Sequence, residues 1–334
     1  MIIAEIFEQE TQSPARVSLE DIQMIETVLE VELPVGEKVK IVRNRIMPQL
    51  EINSPGRLSL VSGIHGDEIE GQYICYEVAR RIEEHPECLV GIVDIYPALN
   101  PLGIDLASRN NPMTHMDMNR SFPGNAAGDH ADRISSAIID SIIGSDICID
   151  IHASDIFVRE IPQVRLSDTF AEQLLPLAKL TNADMIWMNA TATVHESTLA
   201  HALNIMNVPT LVLEMGQGHQ INRDYGHQIV DGIFNILCEL GMWTGPRPRT
   251  HIPAISSDGS VEFVRSKMGG LFLPTTEHNH FVKAGEIIGE LIDPISGKKL
   301  MDITVEKSGL LFTQRIYPVV YEGDLLARIL TDAF

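Results

Sequence analysis

An α/β domain followed by a smaller all-β domain is the architecture this sequence predicts, on three observations. Between Leu58 and about Gly241, short apolar runs alternate with helical patterns, as in a mostly parallel sheet covered on both faces. After the segment TGPRPRTHIP the helical periodicity stops, and short strand-like runs recur between Gly, Pro and Asn turns. The chain has 334 residues, 44% apolar and 21% charged, which is enough to bury a sizeable core and too apolar for a disordered chain. The division falls at 1–245 for the α/β domain and 250–334 for the β domain.

The elements follow in order. The first 55 or so residues read as an edge of the main domain, with an amphipathic helix near Leu19–Leu29 and a strand-like run over Lys38–Ile46. Buried strands are predicted at Leu58–Ser62, Leu89–Tyr96, Ile147–Ile151, Met185–Met188 and Thr210–Leu213. Helices are predicted at Asp67–Glu84, Ala131–Ile143, Thr169–Leu180, Ser197–Leu203 and Asn222–Leu240, the last closed by Gly241 as a C-cap. In the β domain, Phe281–Leu291 and Pro318–Ile329 are similar phrases, each with a "Val, two residues, Gly" turn before an apolar strand, as in lipoyl- and biotinyl-like sandwiches.

Composition narrows the partners. A net charge of −21 with no Lys/Arg-rich run argues against nucleic acid and anionic membrane surfaces. No stretch approaches the ~18 apolar residues of a membrane span, and Glu5, Glu8 and Glu10 occupy a start where a signal peptide needs basic residues. Cys75, Cys88, Cys148 and Cys238 are far apart in sequence and lie in apolar runs, so the expected compartment is the cytoplasm, without disulfides.

Chemistry concentrates in SGIHGDEIEG, residues 62–71, where His65 and Glu68 stand three apart between a strand and a helix, with Gly63 and Gly66 allowing close backbone approach. His152 ends the strand Ile147–Ile151, so both groups project from carboxyl ends of parallel strands, where open α/β sheets bind ligands. Two imidazoles and a carboxylate suit zinc with an open position. On spacing alone, a His at a helix start is more often structural, and the pair gains weight only from the runs that follow. These are DMNRSFPG, with Asp117, Asn119 and Arg120, and LEMGQG, with Glu214 at another strand end, where a structural ion pair is the competing reading.

Together, SGIHGDEIEG, DMNRSFPG, DIHAS and LEMGQG resemble, in this order, the succinylglutamate desuccinylase/aspartoacylase family, relatives of the zinc carboxypeptidases, over about residues 55–240. The resemblance implies a zinc-carboxypeptidase-like mixed sheet of eight strands flanked by helices, with a β-sandwich tail. It implies one Zn2+ per chain on His65, Glu68 and His152, with Asp117 orienting the first histidine from behind. It further implies Glu214 as general base and acid, Arg109 as the group polarising the scissile carbonyl, and Asn119 and Arg120 as holders of the substrate carboxylate. Met118 stands where Leu is usual in the family, a volume-conserving change.

The implied reaction is hydrolysis of an N-acyl amino acid or similar small amide by metal-activated water. A carboxypeptidase acting on small peptides would use the same site, and a non-catalytic binding protein on this scaffold is argued against by the intact residue set. Self-association into a homo-oligomer is compatible with the sequence. His115, His195, His219 and His227 read as surface or supporting residues, so a second zinc is not expected. Lys298 and Lys299 lie in a turn comparable to a carrier lysine's but lack the Glu-Ala-Met-Lys-Met context, so rim-forming, gating or assembly roles are expected of the β domain.

Overall fold

Strand β3 (Arg57–Ser62) is buried almost throughout, because its RLSLVS run presents apolar or small residues to both faces of the sheet. It lies parallel to β4 (Ile92–Tyr96) on one side and to β5 (Ile147–Ala153) on the other, and β5 is parallel to β8 (Thr210–Gly216). The structure, a computed structural model, describes residues 22–188 and 196–331. Beyond this parallel centre, β2 (Lys38–Ile46) and β1 (Gln23–Glu32) add antiparallel strands at one edge. At the other edge, β6 (Val158–Leu166) runs antiparallel to β8, and β7 (Met185–Met188) runs parallel to β6. The sheet is therefore mixed, in the order β1-β2-β4-β3-β5-β8-β6-β7, with β9 (Ala254–Ser257) alongside β7.

The connecting helices are α1 (Glu70–Glu84), α2 (Pro101–Asp105), α3 (His130–Ile142), α4 (Ala171–Ala178), α5 (Leu199–Ile205) and α6 (Arg223–Glu239). On one face, Ile74 and Val78 of α1 and Ile233 and Phe234 of α6 share a core with Leu58 and Leu60. On the other, Ile138 and Ile142 of α3 and Leu199 of α5 pack with Val61 and Cys148, the alternate residues of the same strands. Asn222 caps α6 by accepting from the Asp224 and Tyr225 N–H groups, and Gly241 takes φ +69° just beyond the helix.

Two expectations are corrected. The helix predicted over Leu19–Leu29 is, in its described part, strand β1, paired with β2 from Gln23 to Glu32. A bulge between Thr27 and Leu29 breaks the two-residue alternation, which is why the run imitates helical spacing. Strand β6 was not predicted, because VREIPQVRL carries three charges and a proline. A register shift between Glu160 and Gln163 absorbs Pro162, and Glu160 and Arg165 neutralise one another inside the sheet.

After β9 come β10 (Val261–Arg265), β11 (Gly270–Pro274), β12 (His280–Val282), β13 (Ile287–Asp293), β14 (Lys298–Thr304), β15 (Gly309–Arg315), β16 (Val319–Val320) and β17 (Leu325–Leu330). Strands β14-β13-β11-β16 form one antiparallel sheet, and β12, β15, β17 and β10 form another ladder. Phe272, Leu291, Val282, Leu311 and Ile329 fill a core between them. The two similar phrases become β12-turn-β13 and β16-turn-β17, turning on Gly285 and Gly323 at φ +83° and +88°. Strand β15 also pairs with β6 over Val158–Glu160, so the C-terminal strands extend the main sheet.

Candidate active site

The carboxyl ends of β3 and β5 bring three side chains together. The turn after β3 is tight, since a Cβ on Gly66 would lie 2.0 Å from the Gly103 carbonyl carbon. Helix α1 begins at Glu70, later than predicted, which leaves His65 and Glu68 in that turn facing the end of β5. Glu68 receives His65 Nδ1 on Oε1 at 2.7 Å and His152 Nδ1 on Oε2 at 2.8 Å, and the Ala153 N–H donates to Oε2 at 3.1 Å. His65, Glu68 and His152 are all buried and offer ligand atoms within 4.8 Å of one another. They form the group among the described residues that could hold a metal ion.

The far nitrogens are also held. His65 Nε2 donates to Asp117 Oδ1 at 3.0 Å, and His152 Nε2 lies 3.2 Å from Asp150 Oδ2 in an ion-pair contact. This arrangement fits a metal, because the Asp117 hydrogen bond at His65 Nε2 and the Asp150 charge beside His152 Nε2 favour the tautomers whose Nδ1 lone pairs face the centre. Burial would lower both histidines, but Glu68 and Asp117 outweigh it at His65, and Asp150 and Glu68 at His152, so both are raised above the ordinary imidazole range. Burial would likewise raise Glu68, yet the two histidines hold it well below the ordinary carboxylate range.

Around this centre is a cavity of about 570 Å3. Arg109, Asn119, Arg120 and Glu214 all line it, so each residue expected in the site reaches it or, like Asp117, supports it. Arg109 donates from Nη1 to Glu68 Oε1 at 2.8 Å and from Nη2 to Asp117 Oδ2 at 3.4 Å. Asn119 uses its Oδ1 to accept from the Leu199 N–H at 2.9 Å, which leaves the amide NH2 to offer. Arg120 is exposed, donates to the Asn119 carbonyl at 2.7 Å, and has no carboxylate partner among the described residues. Glu214 faces His152 in register across β5 and β8 and pairs with Arg165 at 3.3 Å. Burial pushes Glu214 above the ordinary carboxylate range, against the pull of Arg165 and His152.

Sequence reasoning missed Asp150, Glu160, Arg165 and Arg328, all of which also line the cavity. Asp150 had a signal, two residues before His152 on the same face of β5. The other three had none, since Glu160 and Arg165 on β6 find Arg328 and Glu214 only on strands far apart in sequence. His219 meets the Ala107 carbonyl at 3.2 Å and His227 meets the Tyr73 hydroxyl at 2.8 Å, in keeping with supporting roles, while His195 lies outside the described residues. Lys299 pairs with Asp302 at 2.8 Å on the surface of the β strands.

The chain and its fold are similar to those of known proteins. The chain is 26% identical to an N-alpha-acetyl-L-2,4-diaminobutyric acid deacetylase from Halomonas elongata over 278 residues, covering 81% of this chain and 80% of that one. Its fold is similar to that of the product-bound ectoine utilization protein EutE from Ruegeria pomeroyi, with a TM-score of 0.77 at 20% identity over 94% of this chain and 96% of that one. A succinylglutamate desuccinylase from Silicibacter sp. TM1040 is similar at a TM-score of 0.79 and 20% identity, over the same shares of the two chains. Residues 55–240 match the succinylglutamate desuccinylase/aspartoacylase catalytic domain, and the chain belongs to that family.

Proposed function

We propose that this protein is a zinc-dependent hydrolase that removes the acyl group from an N-acyl amino acid. The observation that carries this reading is the convergence of His65 Nδ1, His152 Nδ1 and the Glu68 carboxylate at one point, each histidine backed by a second carboxylate. Zinc bound there would supply Lewis-acid polarisation of the amide carbonyl and an activated water.

The chain's own groups do the rest. Glu214, raised above the ordinary carboxylate range by burial, takes a proton from the attacking water and hands it to the departing nitrogen. Arg109, held in place by Glu68 and Asp117, meets the negative charge that develops on the carbonyl oxygen. Arg120, with no carboxylate partner among the described residues, pairs with the substrate carboxylate, and the Asn119 amide donates beside it. A cavity of about 570 Å3 suits a small amide. The Halomonas relative's name specifies an acetyl group on a diamino acid, so N-acetyl amino acids head the candidates. Four cysteines without disulfides accord with a cytoplasmic enzyme.

The test is turnover by zinc-loaded protein of N-acetyl and N-succinyl amino acids and of dipeptides. Free amino acid released from an acylated one, with a loss of ~100-fold or more in Glu214→Gln at unchanged zinc content, is the expected result. Zinc-loaded protein inert towards the whole panel, or Glu214→Gln turning over at the parent's rate, would overturn the reading.

A further inference from the structure

Glu214 is the end of a line of alternating charges that starts in the C-terminal strands. Arg165 on β6 has one arm on each of two carboxylates, with Nη1 3.3 Å from Glu214 Oε1 and Nη2 donating to Glu160 Oε2 at 2.8 Å. Glu160 also receives the Ser154 hydroxyl on Oε2 at 2.5 Å, and on Oε1 it receives Arg328 Nη1 at 2.5 Å and the Thr313 hydroxyl at 2.9 Å. Thr313 lies on β15 and Arg328 on β17. The Arg165 and Arg328 guanidinium carbons lie 5.7 and 5.5 Å from the centre of the Trp187 ring.

Stability is a weak reason for this construction, because replacing buried ion pairs with well-packed apolar residues of similar volume is often neutral or stabilising. Its geometric effect is specific. A planar fork with one arm on Glu160 fixes where the other arm meets Glu214, and Glu160 in turn has four donors restraining it. We propose that Arg165 is a positioning residue for Glu214, and that Arg328 acts through Glu160 to aim Arg165, so the C-terminal strands set the orientation of the proton-transferring carboxylate. The inference rests on the role given to Glu214 above.

Full-length, zinc-loaded parent, Arg165→Ala, Arg328→Ala, Arg328→Lys and Thr313→Val decide it. A reacting group misplaced by ~1 Å costs about 100-fold, so Arg165→Ala should lose kcat by about that factor and Arg328→Ala by ~10-fold, with KM within about two-fold. Zinc content should stay at the parent's level. Added guanidinium should restore kcat in Arg165→Ala but not in Glu214→Gln, and Arg328→Lys should recover much of the loss. Crystal structures should show the Glu214 carboxylate displaced in Arg328→Ala. Parental kcat in Arg328→Ala, a defect in KM alone, or an unmoved Glu214 overturns the proposal. If Arg328→Ala does not fold, Thr313→Val decides on the same readings, with a smaller loss expected. A parent inert towards every acyl amino acid defeats the proposed function, and the crystallographic position of Glu214 in parent and variants then supports or overturns the positioning role by itself.

Discussion

Asp117 stands 3.0 Å behind His65, accepting from Nε2 on the side of the ring opposite Glu68. The same Oδ1 accepts from the Asn119 N–H at 2.8 Å, so one carboxylate ties the orientation of the histidine to the cavity-lining turn. Asp117→Asn should weaken zinc binding by ~10- to 100-fold, the usual cost of removing such a partner. Competition against a chelator of known affinity measures it, and parental affinity would show that His65 is oriented without Asp117.

Zinc should also compete with protons. The carboxylates around His65 and His152 raise both imidazoles, favouring a proton that zinc must displace from each Nδ1. Affinity is therefore expected to rise with pH through the neutral range. Calorimetry in buffers of different ionisation enthalpy should show net proton release on binding, and no dependence on the buffer contradicts this.

Arg120 and Arg109 should fail differently. A charge present in both ground and transition states acts through KM, so Arg120→Ala should raise KM and relax the demand for a substrate carboxylate. Arg109→Ala should lower kcat by ~100-fold or more at saturating zinc, since it meets charge that appears only during reaction. Identical defects would make the two arginines a single clamp.

Glu70 offers a stability test away from the chemistry. It is fully buried at the start of α1, accepts from the Asn222 N–H at 3.0 Å, and is pushed by burial up to about 7. Between about 4.5, the unfolded value, and 7, the folded state binds the extra proton, so this carboxyl makes stability fall as pH rises. Glu70→Gln should remove that slope, gaining up to about 3 kcal/mol at pH 8 and little at pH 4. Denaturant melts at the two pH values measure it, and equal shifts at both would rule Glu70 out as the source.

The parallel centre of the sheet was legible because β3, β5 and β8 are short apolar runs whose ends carry the site. His65, Glu68 and His152 were legible for the same reason, since the topology that buries those strands also brings their carboxyl ends together. Strand β6 was not, because its buried charges need distant partners as well as local ones, among them Arg328, 168 positions from Glu160. No local pattern announces that pairing. Strand β1 misled for a different reason, as a single bulged residue shifts the alternation on which strand recognition depends.

The pairing of β6 with both β8 and β15 has a consequence for how the chain is made. Glu160 must await Thr313, 153 residues later, before its ladder closes, a contact of high sequence separation and hence slow formation. During synthesis the first two hundred and fifty or so residues emerge with the Val158–Glu160 edge unpaired and Glu160 without its Arg328 partner, a state prone to wrong strand pairing. Once β15 and β17 dock, the edge is covered and the two regions are joined through the β6–β15 ladder as well as the β7–β9 one. They should therefore lose structure in a single cooperative transition when heated.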